Sequence, residues 1–458
     1  MTLGTFFGFS ERGTSLRTEV VAGLTTFMTM AYIVFVNPSI LATKGTGLSV
    51  PGVFFATCVA AAVACIAMGL VANFPLALAS GLGLNAIVAY TLILDLGLSW
   101  QQAMAVVVVE GVLITVLVLT NLREAVLDAI PMSLKVAIAV GIGLFIAFIG
   151  LKNSGLVVPN DDTYLALGDL THGPVLLAVF GLVVTLTLVA RGSRGGIIIG
   201  IFVTGVVGMI FGVVPVPGGI VDFSFDTSTV GGGILAVPEV LRLSLLPVIF
   251  ALFMTDFFDT MGSMFAVAQE GKLIDEEGRV PQAKRILLVD ALAAVLGGSM
   301  GASSVTSYVE SGSGVAEGGR TGMTSVVVGL LFLLALPFSP LISVFGGSLP
   351  IPNPEGGGEP LFVSPVTAPA LIVVGFLMMT AVRLIPWESF DEAIPAFLTI
   401  LTLPLTFNIS YGIGFGFISY VLIKLSRGRA GEVHPLLYGA AVLFVLAFVW
   451  PALQGFLS

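Results

Sequence analysis

The chain has 458 residues, of which 57% are hydrophobic and 10% charged, with a mean hydropathy of +1.09 and a net charge of −9. Soluble domains carry about 25% charged residues, so this composition excludes one and describes a polytopic membrane protein, with room for roughly a dozen or more helices of about 20 residues. It also offers no basic stripe for nucleic acid.

The first span covers residues 17–41 and carries a polar patch, Thr25-Thr-Phe-Met-Thr29. Asn37-Pro38 near its end favours a break. Glu11, Arg12, Arg17 and Glu19 at its start do not resemble a cleaved signal peptide. The second span, 53–71, is rich in Ala, as close helix packing in lipid prefers. Its Cys58 and Cys65 read as small core-filling thiols. Residues 74–94 are too short and too rich in Pro and Gly to span; they predict an extended segment followed by a half-helix from about Leu84. Gly81-Leu-Gly-Leu-Asn-Ala86 mimics a dinucleotide fingerprint, but no βαβ unit surrounds it.

The fourth element, 101–120, has Glu110 at its middle, serving either an internal hydrogen bond or function. Spans at 131–151, 175–190 and 196–213 follow, and a Pro/Gly-rich stretch from Pro215 to Pro238 divides the chain. The eighth span, 243–268, contains Met254-Thr-Asp-Phe-Phe-Asp-Thr-Met-Gly-Ser263. Each of its acids, Asp256 and Asp259, costs about 2.5–3.5 kcal/mol at the centre of a bilayer. The ninth span is 286–300. Residues 301–320 form a second broken, Gly/Ser-rich element around Ser307-Tyr-Val-Glu-Ser-Gly-Ser-Gly314, which carries Glu310. Spans at 321–336, 368–384, 394–407 and 412–425 complete the set, with a Gly/Pro loop at 340–365. A last apolar run, 435–457, fits either a span or an interfacial helix.

If the spans alternate, Arg12, Arg17, Arg123, Lys135, Arg191, Arg194, Lys272, Arg279, Lys284, Arg285, Arg320, Arg383, Lys424, Arg427 and Arg429 share one side. Only Lys44, Lys152 and Arg242 fall on the other, which puts the N-terminus in the cytoplasm. Phe27-Met-Thr29 recurs as Phe253-Met-Thr255, 226 residues later, and the same offset carries Asn85 to the position beside Glu310. Each half thus holds a Phe-Met-Thr helix followed by a broken element. An odd number of elements per half inserts the second copy upside down. The expected fold is therefore an all-α polytopic membrane protein, a seven-plus-seven inverted repeat of about 14 transmembrane segments with two discontinuous half-helix elements.

Asp259 and Glu310 have no Lys or Arg partner in any span. Unpaired buried carboxylates suit two tasks: accepting hydrogen bonds from a neutral ligand, and holding a proton. Asn85, Thr26, Ser311 and neighbouring hydroxyls add donors and acceptors, and Tyr308, Phe257 and Phe258 add aromatic faces. That set fits a flat, neutral heterocycle rich in N–H groups; an anion would ask for a cation. Asp256, Asp259, Glu110 and Glu310 are the candidates for proton coupling. His172 and His434 stand in loops without Cys or His neighbours, so neither metal nor cofactor is expected.

At these residues the chain resembles the nucleobase transporters, specifically the AzgA-like adenine/guanine/hypoxanthine permeases. The signatures are Phe7-Gly-Phe-Ser-Glu-Arg-Gly-Thr14, residues 18–38, Gly83-Leu-Asn85, Thr255-Asp-Phe-Phe-Asp-Thr-Met-Gly262 and residues 303–316. The resemblance implies fourteen segments in core and gate domains. The core takes residues 16–121 and 243–345, the gate 131–214 and 366–426, and residues 433–458 form an additional C-terminal helix. It also implies that Asp259 and Glu310 hold a purine base, that Asn85 is the amide of the third segment, and that purine enters with a proton, in a homodimer within the bilayer. Three rivals are an anion carrier of the same fold, a channel, and a membrane-embedded hydrolase using Asp256 and Asp259 at i and i+3. The hydrolase lacks a nucleophile motif and metal ligands.

Overall fold

The computed structural model describes residues 3–120, 129–242, 245–275, 279–353 and 359–457, without the side chains of Phe258 and of 450–457. Arg123 lies outside the described residues. The chain is helical, with three short two-stranded ribbons among the described residues. Eight helices are long and apolar enough to cross a membrane among the described residues, and shorter apolar helices lie between them.

The first half runs α1 (Leu16–Met30), α2 (Ile33–Leu41), α3 (Val50–Ala67), β1 (Leu78–Ser80), α4 (Leu82–Ala86, continued as a π-helix over Ile87–Asp95), α5 (Trp100–Thr120), α6 (Met132–Asn153), α7 (Gly173–Ala190) and α8 (Gly196–Ile210). The second runs α9 (Leu246–Glu270), α10 (Ala283–Met300), β2 (Val305–Ser307), α11 (Ser311–Ala316), α12 (Gly322–Ala335), α13 (Ala368–Met379), α14 (Phe390–Leu405) and α15 (Ile409–Ser426). Last comes α16 (Pro435–Leu457), one continuous helix against α15 and α9.

Both broken elements form as expected, each an extended strand followed by a short helix. They meet as an antiparallel ribbon in which Leu78 pairs with Ser307, Ala79 with Thr306 and Ser80 with Val305. The central partners, Ala79 and Thr306, are 227 residues apart, one residue from the offset of the Phe-Met-Thr repeat. An antiparallel pair is locally two-fold symmetric, so the two copies meet about an axis through this pair. This is the seven-plus-seven inverted repeat. Non-helical backbone inside a membrane protein must find partners within the protein, and here it does. Gly81 N–H donates to Ser304 O at 2.9 Å, Tyr308 N–H to Ala77 O at 2.9 Å, and Ser80 Oγ to Ala302 O at 2.7 Å. Gly301, at φ +88°, closes α10 in the left-handed conformation that Gly adopts without cost.

Two groupings of helices surround the ribbon. In one, α5 packs on α10, and α12 packs on α3 and α1. In the other, α6 packs on α13 and α14, α14 on α15, and α7 on α8. One close approach in the first grouping is between Gly69, in the π-helical turn Met68–Ala72 that continues α3, and Gly322, where an added Cβ at Gly322 would lie 2.1 Å from Gly69 O. Backbone cannot yield as a flexible side chain does, so Gly322→Val should cost more than the about 1–3 kcal/mol of ordinary overpacking. The expected result is loss of the monodisperse peak in size-exclusion chromatography; a parent-like peak would show that α3 and α12 do not pack this tightly.

The break in the first span differs from the expectation. It falls at Ala31–Tyr32, and Pro38 sits inside α2. Tyr32 at the joint is buried and turned towards the second broken element. Asn37 is instead held within the fold, its Nδ2 donating to Thr57 Oγ1 at 2.8 Å and Ala302 O at 3.2 Å. The described residues of the 340–365 loop hold a helix, Ser339–Phe345, and a ribbon of Leu349–Ile351 with Leu361–Val363.

Candidate functional site

The helix α9 passes beside the ribbon and lays its two acids in different surroundings. Three residues leave two side chains about 60° apart around a helix, so their different surroundings come from the neighbouring elements. Asp256 is fully buried, and Ser304 Oγ donates to its Oδ2 at 2.8 Å. Asp259 is exposed and unpartnered among the described residues, near enough to Asp256 and Glu310 to be repelled by both. The two aspartates therefore do not form a catalytic pair.

Glu310 is the residue immediately before α11. Tyr32 donates to its Oε1 at 2.6 Å, which fixes the carboxylate and leaves Oε2 for another donor. The helices α9 and α11 pack together. A Cβ placed on Gly262, one turn beyond Asp259, or on Gly312, two residues beyond Glu310, would meet nothing within 4 Å. Both carboxylates thus border open space. The exposed face of α9 runs from Asp259 through Gly262, Phe265 and Ala266 to Gln269, towards the C-terminal end of the helix. At the other end, Tyr90 and Phe145 meet Phe407 edge-on, each at 5.1 Å, and Asn408 Nδ2 donates to Asp95 Oδ2 at 3.0 Å.

Asn85 lies on α4, which packs against both α9 and α6. It is fully buried, yet neither amide atom has a hydrogen-bond partner among the described residues. Each unmade buried hydrogen bond costs about 1–3 kcal/mol, so this amide is poised for a ligand's donor and acceptor. Thr26 is buried with its hydroxyl unpartnered, against Gly314 of α11. Ser311 Oγ accepts from Ala77 N at 2.9 Å, and Tyr308 donates its hydroxyl to Ser80 O. These two tie the broken elements together. Phe257 is buried; the side chain of Phe258 lies outside the described residues.

Behind this centre lies a polar network that sequence reasoning only half found. Glu110 is fully buried and faces Asp256 at hydrogen-bonding range. Asp290 of α10, which went unremarked in the sequence, accepts from Thr260 Oγ1 at 2.6 Å and Ser307 Oγ at 2.7 Å. It is a lone acid in an apolar run, the same signal that marked Glu110. Among the described residues, no group of three or more His, Cys, Asp or Glu is disposed to hold a metal ion.

Residues 17–415 match the Permease family (Xan_ur_permease). The chain is 44% identical over 454 residues to the guanine/hypoxanthine permease PbuG of Bacillus subtilis (strain 168), covering 97% of this chain and 99% of that one. It is 40% identical over 449 residues to the adenine permease AdeQ of Escherichia coli (strain K12), covering 98% of this chain and 96% of that one. Its fold is similar to that of the transmembrane domain of the cyanobacterial bicarbonate transporter BicA, at a TM-score of 0.57 and 14% identity over 86% of this chain and 97% of that one. It is also similar to murine Slc26a9 in the inward-facing state, at a TM-score of 0.60 and 10% identity over 90% of this chain and 68% of that one. With the inverted repeat, the central carboxylates and the match over nearly its whole length, the chain belongs to the Permease family, a multi-pass membrane transporter and not an enzyme, among relatives named as guanine/hypoxanthine and adenine permeases.

Proposed function

We propose that this permease imports purine nucleobases (hypoxanthine, guanine and adenine) by proton symport across the plasma (inner) membrane. Asp259 and Glu310 accept hydrogen bonds from ring and exocyclic N–H groups of the base, and Asn85 supplies the matching amide. Thr26, Ser311 and Tyr308 belong to the same centre. The observation that carries this reading is the pair of carboxylates bordering open space with a buried, unsatisfied amide nearby. Such a set matches a neutral base and would repel an anion, which sets aside the anion reading; the likeness to the bicarbonate transporter concerns fold alone. The names of the relatives support purines as the class.

In this reading, residues 16–121 and 243–345 form a core that moves against a gate of residues 131–214 and 366–426, giving alternating access. The basic loops and the N-terminus face the cytoplasm. The open face of α9 then faces inward, and the Tyr90–Phe145–Phe407 packing closes the outer path. A homodimer is the expected assembly.

The test is uptake of radiolabelled hypoxanthine, guanine and adenine into proteoliposomes, with and without an inward proton gradient. Accumulation that follows the gradient and is competed by unlabelled purines is the expected result. Sulfate or bicarbonate uptake that ignores purines would replace this reading with the anion one.

A further inference from the structure

We infer that Glu110 and Asp256 form a carboxyl dyad that shares one proton, and that this dyad, set behind the base site, holds the coupled proton. The inference rests on the proton-symport reading above and names the site which that reading leaves open.

The geometry requires a proton. Both side chains are fully buried. They face each other at hydrogen-bonding range, yet neither oxygen of Glu110 nor Oδ1 of Asp256 has a donor among the described residues. A carboxylate only accepts, whereas a protonated carboxyl donates one hydrogen bond. Two ionised carboxylates in contact repel; one proton turns the repulsion into a bond. The charged groups facing the pair are both acids: Asp290 from α10, and Asp259 one turn along α9. The helices Gly232–Leu235 and Val237–Val240 also pack on α5, and there the one acid, Glu239, is bonded by Gln102.

The three other acids of the centre are less suited to holding the proton. Asp290 has both oxygens satisfied by hydroxyl donors, so it needs none. Asp259 is exposed, and a proton there exchanges freely with water. Glu310 is fixed by Tyr32 and borders the open space. A coupled proton must instead be sequestered until the base is bound. The dyad is sequestered, yet it touches the site twice. Asp256 and Asp259 share a helix, and Ser304, which donates to Asp256, lies just before the strand that leads to Glu310. A base neutralising part of the field at Asp259 and Glu310 therefore alters the affinity of the dyad for its proton, and the linkage is reciprocal.

The experiment compares wild-type protein with Glu110→Gln in proteoliposomes and in detergent. Glu110→Gln replaces the shared proton with a permanent amide donor. It should keep hypoxanthine binding within about threefold, a coupling loss well below that of a direct contact. It should keep exchange of labelled for unlabelled base, and lose accumulation driven by a proton gradient. Infrared spectra at neutral pH should show the C=O stretch of a protonated carboxyl in wild type and not in Glu110→Gln. Gradient-driven accumulation by Glu110→Gln at the wild-type level would overturn the dyad while leaving symport intact. Wild type that fails to accumulate base under the gradient would overturn symport, and the dyad with it. If Glu110→Gln does not fold, the wild-type spectrum decides: a protonated-carboxyl band that Asp256→Asn removes upholds the dyad, and absence of any such band refutes it.

Discussion

Glu310→Gln is expected to weaken hypoxanthine binding by about 10- to 150-fold, from the about 1.5–3 kcal/mol carried by a hydrogen bond to a charged group. The substitution keeps the shape of the side chain and one acceptor oxygen. It removes the charge and places an NH₂ group where an N–H donor of the base would arrive. Tyr32 donates to Glu310 Oε1 and so aligns the carboxylate without meeting the base through that bond. Tyr32→Phe should therefore cost less, about 2- to 12-fold, because the bond it removes orients the carboxylate and is not one the base makes. Titration calorimetry on purified protein measures both. A Glu310→Gln protein that is folded and binds hypoxanthine as wild type does would remove Glu310 from the site. Methylated bases extend the logic from the ligand's side: blocking the N–H that meets a carboxylate should mimic the loss, and blocking any other should not.

The central acids were legible because they violate the rule that a membrane span avoids charge. Asp256, Asp259 and Glu110 stand out against their apolar neighbours, and Glu310 stands out within a run of Gly and Ser. The two breaks were legible for the same kind of reason, since Pro and Gly interrupt apolar runs too short to span. What each acid faces was not legible. A three-residue shift on one helix sends Asp256 into the interior and Asp259 to open space, and only packing on α5 and the ribbon decides which goes where.

Other features depend wholly on tertiary contact. The ribbon strands have three residues each, below the length at which alternation carries a signal, and their pairing joins positions 227 residues apart. Tyr32 is one aromatic residue in an apolar span, and nothing local distinguishes it from a packing residue. Its role follows from the break at Ala31–Tyr32, which local propensity placed at Asn37-Pro38. Asp290 obeyed the same rule as Glu110 and was hidden by its position five and six residues after Arg285 and Lys284.

Glu19 carries the largest expected effect on stability. In the sequence it reads as an acid in the first turn of α1, favourable to the helix dipole and no more. In the structure it is fully buried and caps a different helix, α12. Its Oε1 accepts from Arg320 N at 2.9 Å, and its Oε2 from Thr321 N at 3.3 Å, Thr324 N at 3.2 Å and Thr324 Oγ1 at 2.6 Å. The first N–H groups of a helix have no partner within it, and here a carboxylate from the start of the chain supplies one. Arg12 extends the knot, donating to Asn73 O at 2.9 Å and Arg320 O at 2.8 Å, while Asn73 Oδ1 accepts from Gly322 N at 2.8 Å. Glu19→Ala strands the backbone donors of Arg320 and Thr321 and the Thr324 hydroxyl, while Thr324 N keeps Thr321 O at 3.3 Å. At about 1–3 kcal/mol for each unmade bond, the loss should exceed about 3 kcal/mol, a large share of the about 5–15 kcal/mol that holds a typical fold. Glu19→Gln keeps an acceptor and loses the charge at the helix end, so its cost should fall nearer 1–2 kcal/mol, the range of dipole effects in partly buried settings. Thermal unfolding in detergent should therefore rank wild type above Glu19→Gln, and Glu19→Gln well above Glu19→Ala. If Glu19→Ala melts with the parent, the cap is dispensable, and α12 must be held by its packing on α3 and α1 alone.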